Sequence, residues 1–134
     1  MAARKRREEL PPRHARGREA EDLAVSDLEA QGFRVLWRNV RIGALEVDAV
    51  AQQGDLVVIV EVRARAVGAP VGPLASISPS KRKALLSASR GLWRGRLARM
   101  PEVRRVRIDV AAVTYAADGS ARLEWIRGAL TEDG

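Results

Sequence analysis

The residues best placed to do chemistry lie in one stretch, GALEVDAVAQQGDLVVIVEVRAR, from Gly43 to Arg65. Two runs rich in Val and Ile, Leu45 to Ala51 and Leu56 to Ala64, flank the turn-forming Gln52-Gln53-Gly54-Asp55, so the stretch predicts a β-hairpin. Its arms carry Glu46, Asp48, Glu61 and Arg63. Pairing Ala51 with Leu56 places Glu46 opposite Glu61 and Asp48 opposite Ile59. Opposed residues of an antiparallel pair point the same way and each strand alternates, so Glu46, Asp48, Glu61 and Arg63 share one face. Val47, Ala49, Ala51, Val58, Val60 and Val62 form the other, an apolar face that belongs against a core. Val50, Val57 and Ile59 on the acidic side mark a strand pair partly buried on both faces. The carboxylates are therefore expected in a cleft.

Carboxylates gathered in a cleft repel one another and are costly to bury, so the cluster demands a cation. A divalent metal would meet that demand. With oxygen ligands and neither His nor Cys nearby, the ion selected is a hard one such as Mg²⁺, held by one or two carboxylates and several waters. Arg63 would meet it equally, as part of an ion-pair network on a half-exposed sheet. On spacing alone the two readings stand level.

These residues must be positioned by the elements around them. GREAEDLAVSDLEAQG predicts a helix from Arg16 to Gln31, with Ala20, Leu23, Ala24 and Leu28 at helical spacing and Gly32 placed to end it. Glu21 falls on the edge of that stripe, able to reach the core or to pair with a neighbour in solvent. Phe33 to Trp37 alternates as a first strand, leading through Arg38-Asn39-Val40-Arg41 into the hairpin. After it, AVGAPVGPLASISPS breaks any regular element and predicts a long loop beside the cleft. Ser78 and Pro79 suit the cap and first position of a second helix, expected to run to about Leu97. Leu85, Ala88 and Leu92 form its buried stripe with Trp93 alongside. Lys81 projects on the same side at the end nearest the loop, where the helix dipole disfavours a cation. Val106 to Val113 alternates as a strand, and Asp118-Gly119 turns the chain back through Leu123 to Ile126. The three tryptophans, Trp37, Trp93 and Trp125, sit in periodic elements and are expected in the core; one Phe and one Tyr besides argue against an aromatic surface for single strands.

A chain of 134 residues, 46% hydrophobic and 31% charged, predicts one globular domain. Its expected bounds are residues 17–128, between a disordered basic tail at 1–16 and a frayed end at 129–134. The absence of cysteine rules out disulfides and thiolate metal sites, and one histidine, His14, leaves no basis for a zinc hydrolase or a Ser/His triad. No run is apolar enough to span a membrane or serve as a signal peptide, so a cytoplasmic protein with no membrane partner is expected. The formal charge of +7 hints at an anionic partner, although residues 1–16 supply +4 of it and the rest of the chain only +3.

The predicted order is α-β-β-β-α-β-β, an α/β fold with a mixed sheet flanked by helices. Several segments in that order resemble the YraN family of small bacterial proteins, over roughly residues 17 to 127. GREAEDLA resembles the family's G-x-x-G-E-x-x-A, GFRVLWRN its G-Y-x-I-L-x-R-N, and EVDAVA with IVEVRAR its G-E-I-D-L-I-A and F-V-E-V-K-x-R. SKRKALLSAS is similar to its lysine-bearing helix and RIDVAAV to its R-F-D-V strand. The family is similar to Holliday-junction resolvases and implies a restriction-endonuclease-like, PD-(D/E)-x-K three-layer core. The resemblance further implies Mg²⁺ or Mn²⁺ bound by Asp48, Glu61 and the Val62 carbonyl, with Glu21 completing the acidic site and Glu46 supporting it or pairing with Arg63. The implied partner is branched or duplex DNA, met by Arg65, Arg82 and Lys83, and a homodimer is the assembly that junction-cleaving proteins of this fold suggest.

The chain departs from the pattern where the E-x-K lysine should stand, at Arg63. An arginine stays protonated and cannot be a general base, though it can hold a phosphate. Lys81 is the candidate substitute. Leu45 also replaces a glycine of the pattern. The leading expectation is a Mg²⁺-dependent endonuclease-like protein with activity reduced or lost; a non-catalytic nucleic-acid-binding module and a scaffold protein are the alternatives.

Overall fold

In a computed structural model of the chain, residues 13–131 are described, with side chains from Gly17 onward. The expected basic tail lies mostly outside the described residues. Helix α1 spans Arg13–Ala30, β1 Arg34–Ile42, β2 Leu45–Gln53, β3 Leu56–Ala66, α2 Pro79–Arg94, β4 Arg105–Tyr115 and β5 Ala121–Ile126. A short 3₁₀ turn, Leu97–Arg99, follows α2. The fold is α/β with the expected element order.

Five strands form one sheet in the order β1-β2-β3-β4-β5, and only β3 and β4 run parallel. A parallel pair needs a crossover, and α2 provides it. On its side of the sheet Leu85, Ala88 and Leu92 pack with Val50, Val57, Ile59, Ile108 and Val110. On the opposite side Ala24 and Leu28 of α1 pack with Ala49, Ala51, Val58, Val60 and Ala111. Two helices on two faces make three layers, because β2, β3 and β4 are apolar on both sides and each side must be covered.

The hairpin register differs from expectation by two residues. Gly54, at φ 60°, supplies the left-handed backbone of a two-residue turn. Gln53 therefore pairs with Leu56 and Gln52 with Val57, extending the strands into the expected turn. Ile59, expected opposite Asp48, pairs with Val50, and the ladder ends at Ala49 and Val60. A shift of two preserves which face each residue occupies, but the residues before Asp48 change sides: Val47, expected beside Ala49, packs with Leu45 in the α2-side cluster that holds Val50, so Glu46 between them points the other way.

The cause is a break in alternation shared by two strands that stay in register there; the β-bulge of the pair lies elsewhere, between Val35 and Trp37. On β1, Trp37 pairs with Val50 and Val40 with Val47, and all four pack on the α2 side although three residues separate the members of each strand. Alternation therefore breaks between them, at Asn39 and Asp48. Asn39 takes φ 49°, a left-handed conformation that Asn tolerates better than most residues.

Other differences are local. Leu23, expected in the α1 stripe, is 37% exposed, while Ala20, Ala24 and Leu28 are buried. α2 ends at Arg94 rather than near Leu97, where Gly91 and Gly95 weaken helical propensity. Trp93 is 43% exposed rather than core. Ala129 and Leu130, expected in a frayed tail, are fixed: Ala129 N donates to the Ile108 carbonyl at 2.8 Å and Leu130 is buried.

That closing segment is tied down by a buried charge. Asp109 on β4 accepts from Arg107 Nε and Nη2 at 2.8 Å each and from the Gly128 N–H at 2.9 Å. Asp109→Ala should destabilise the fold by about 2–3 kcal/mol, since it leaves both donors without their acceptor. Urea unfolding measures this; a midpoint equal to that of the wild type would refute the role given to Asp109.

Candidate functional site

The site forms where β2 and β3 stop pairing through their backbones. The ladder of the pair runs from Gln53 and Leu56 to Ala49 and Val60. Beyond it, the N–H of Val62 donates to Asp48 Oδ2 at 2.7 Å, so a side chain takes the place of the next strand contact. Asp48 is thereby fixed at the break, partly buried, and Glu61 beside it on β3 is only 3% exposed.

Glu21 approaches from α1. The side chain of Asn39, a residue in an unusual backbone conformation, favours the charged form of Glu21, as Arg38 does, while Asp48 acts on it as a like charge. Arg38 on the same strand pairs with Asp22 at 2.7 Å on the exposed flank.

From α2 comes Lys81, with Nζ 3.6 Å from Glu61 Oε2. The Ser78 hydroxyl caps the helix, accepting from the Lys81 N–H at 3.1 Å, and Pro79 opens it. This cap sets where the lysine side chain starts.

Arg63 takes a position that spacing did not foretell. Its Nε donates to Ser76 Oγ at 3.2 Å and its Nη2 to the Ser76 carbonyl at 3.2 Å, leaving Nη1 at 3.4 Å from Glu61 Oε2. Glu46, expected as a partner for Arg63, is exposed and acts on Asp48 only as a like charge. Arg65 and Arg82 are likewise turned to the loop. Arg65 Nη1 donates to the Val71 carbonyl at 2.8 Å, and Arg82 donates to the carbonyls of Leu74 at 2.8 Å and Ile77 at 3.1 Å. Three arginines thus clasp the segment between β3 and α2, and Lys83 alone of the expected DNA contacts is fully exposed. Ser76 and Asn39 are the residues sequence reasoning missed. An Asn amid an alternating strand was the available signal for one; Ser76 sits in a loop with no periodicity to read.

Electrostatically the site is dominated by burial. Burial pushes the carboxyls of Glu61, Asp48 and Glu21 above their ordinary values. Asp48 raises the other two further, while the Val62 N–H, Lys81 and Arg63 pull Asp48 back toward ionisation. Arg38 acts on Glu21 as Lys81 and Arg63 act on Asp48 and Glu61, yet burial outweighs these cations at all three carboxylates. Among the described residues no group of three or more His, Cys, Asp or Glu stands together as a ready-made metal cage. The donors at the break are all oxygens, a set that suits a hard divalent ion completed by water and suits no softer metal.

A carboxyl whose folded value lies above its unfolded one favours the folded state while protonated. Its contribution is present at acid pH and lost as pH rises through the raised value. Asp48→Asn keeps an acceptor for Val62 and removes the charge. It should raise Tm near neutral pH by a few degrees, on a scale of roughly 3 °C per kcal/mol for this chain length, and leave Tm unchanged below pH 4. Thermal melts across pH check this; a variant less stable than the wild type at pH 7 would contradict the account of the cleft.

A profile of the uncharacterised protein family UPF0102 matches residues 20–113. The chain is similar to a UPF0102 protein of Sorangium cellulosum, 43% identical over 117 residues that cover 87% of this chain and 81% of that protein. It is similar to another of Anaeromyxobacter dehalogenans, 40% identical over 124 residues, 91% of this chain and 88% of that one. A third, of Bordetella avium, is 42% identical over 119 residues, 88% and 76%. Both ends of the candidate site, Glu21 on α1 and Asp48, Glu61 and Lys81 beyond it, fall inside the matched region, and this chain belongs to the UPF0102 family, which is the YraN family that its motifs resemble.

Proposed function

We propose that the protein is a metal-dependent, endonuclease-like protein acting on structured DNA, with turnover reduced by the arginine at position 63. The observation that carries this reading is the break at Asp48: two adjoining carboxylates, one of them buried, at the end of the β2–β3 ladder, both raised above their ordinary values by burial. Asp48, Glu61 and the main chain at Val62 would hold Mg²⁺ or Mn²⁺, and Glu21 would add negative charge from α1. Once bound, such an ion supplies charge neutralisation at a phosphate and a lowered pKa for attacking water.

The chain's own residues have separable roles in this reading. Asp48 is oriented by the Val62 N–H, which leaves its other oxygen for the cleft. Arg63 is a positioning residue, because its donors are committed to Ser76 and Glu61. Lys81 stands where the missing lysine is needed: it reaches Glu61 from a separate element and its side chain keeps about a third of its surface in solvent. A cation there orients Glu61 and offsets charge developing on a phosphate.

One observation favours a second reading. Arg63 and Lys81 both approach the same oxygen of Glu61, so the pair partly does what a metal would do. A binding module without catalysis needs no more than this. It binds DNA without divalent ions, weakens steeply with salt, and survives Asp48→Asn.

Cleavage of duplex, flap and four-way DNA with Mg²⁺ or Mn²⁺ separates the two. Wild-type protein should cut slowly, Asp48→Asn should not cut, Lys81→Ala should lose about a hundredfold or more, the scale of one positioned catalytic group, and Arg63→Lys should gain. Cleavage unaltered by Lys81→Ala removes the lysine from its assigned role. DNA binding that persists in EDTA, with no cleavage by any variant, supports the module instead.

A further inference from the structure

The strongest charge asymmetry of the molecule lies outside the candidate site. Residues 79–106 contain nine Lys or Arg and a single acidic residue, Glu102. That excess exceeds the formal +7 of the whole chain. Several of these cations have internal tasks: Lys81 faces Glu61, Arg82 holds the loop, Arg96 lies over the Trp37 ring at 4.7 Å, and Arg105 pairs with Asp55 at 3.0 Å. Lys83, Arg94 and Arg104 are exposed.

Within this basic surface stands Trp93. It is 43% exposed and belongs to none of the core clusters. With Ser89, Arg90, Arg94, Arg104 and Val106 it lines a cleft of about 300 Å³ between the end of α2 and the start of β4. The other large exposed apolar side chains, Leu23, Val67 and Val71, lie on α1 and the loop after β3, so Trp93 is not the centre of a broad apolar patch. A protein interface core needs such a patch and few charges. An isolated indole among guanidinium groups suits a different occupant: a flat π-system attached to a phosphate.

We propose that this cleft is a second nucleic-acid site, in which Trp93 stacks an unpaired base while Arg94 and Arg104 hold the phosphates on either side of it. Stacking is tolerant of sequence, and arginine serves phosphate through its planar fork. Twelve residues of α2 separate Lys81 from Trp93, about 18 Å along the helix axis. This deepens the nucleic-acid reading above and rests on it: the substrate would carry a single-stranded segment beside a duplex, the feature that distinguishes flaps and open junctions from plain duplex DNA.

The test uses the full chain in EDTA, with a short oligothymidylate and an abasic oligonucleotide of equal length as probes. Binding is followed by tryptophan fluorescence and by anisotropy of a labelled strand. Oligothymidylate should quench the fluorescence and bind more tightly than the abasic strand. Trp93→Ala should abolish the quenching and weaken binding roughly 5- to 100-fold, with an unchanged circular dichroism spectrum. Trp93→Phe should keep most of the affinity, and Arg104→Ala should lower the salt slope by about one. Trp93→Ala binding within twofold of the wild type, equal affinity for the abasic strand, or displacement by polyglutamate at equal charge would each overturn the proposal. If duplex DNA is cut with Mg²⁺ while oligothymidylate is not bound, only the stacking site fails. If oligothymidylate binds through Trp93 and nothing is cut, only the nuclease reading fails.

Discussion

The bond from the Val62 N–H to Asp48 Oδ2, 2.7 Å long, is the constraint on which the site depends. A backbone donor at the end of a strand pair must find an acceptor, and an unpaired one costs as much as a lost hydrogen bond. By taking that role a side chain lets β2 and β3 separate without leaving the donor unsatisfied. The same step sets the carboxylate beside Glu61, at the end of the ladder. Asp is the shortest side chain that fills the role and brings a charge. The charge costs stability, as the raised values of Asp48 and Glu61 indicate, and a fold tolerates such a cost where a site gains by it.

A second layer of support comes from arginines used as fasteners. Arg63, Arg65 and Arg82 each donate to main-chain carbonyls of the loop between β3 and α2. That loop has no periodicity, and although the carbonyls of Gly72, Pro73 and Leu74 accept from within it, those of Val71, Ser76 and Ile77 are met by the arginines. A guanidinium carries five donors on a rigid plane and can satisfy several acceptors while still touching a carboxylate. Lysine has no such geometry. The exchange of the E-x-K lysine for Arg63 is thus accompanied by a structural task that lysine would perform poorly. Loop, Ser78 cap and Lys81 follow one another in the chain, so fastening the loop also fixes where the second cation enters.

The sequence made much of this legible, for reasons that can be traced. The unbroken apolar run Leu56 to Val60 and the Ser78-Pro79 cap are local signals, and both elements appear where those signals lie. The hairpin register was misread by two because Gly54 alone dictates the turn. Parity survived that error, which is why Asp48 and Glu61 remained together. Val47 lies on the unexpected face because the break in alternation at Asn39 and Asp48 is a property of two paired strands, invisible to either one. Leu23 and Leu130 failed in opposite directions: a helix stripe is wider than the surface that covers it, and a terminal Leu finds a core only when the sheet supplies one. The partners of Arg63 could not be read because spacing gives a face, and the choice between Glu46 and Ser76 depends on where a loop returns.

The two ends of α2 show how charge and exposure weigh differently as signs of function. Cations near the C-terminal end of a helix are favoured by its dipole, so Arg90 and Arg94 need no further reason. Lys81 at the other end is disfavoured by that same dipole, and its proximity to Glu61 is the compensation. Trp93 has no comparable compensation: leaving much of an indole in water forgoes the burial that makes tryptophan stabilising. A chain rich in arginine throughout would scatter its positive charge. Here the segment 79–106 concentrates it around the one exposed tryptophan among the described residues, and that coincidence of an unfavourable apolar exposure with a favourable basic setting is what a structural role alone does not explain.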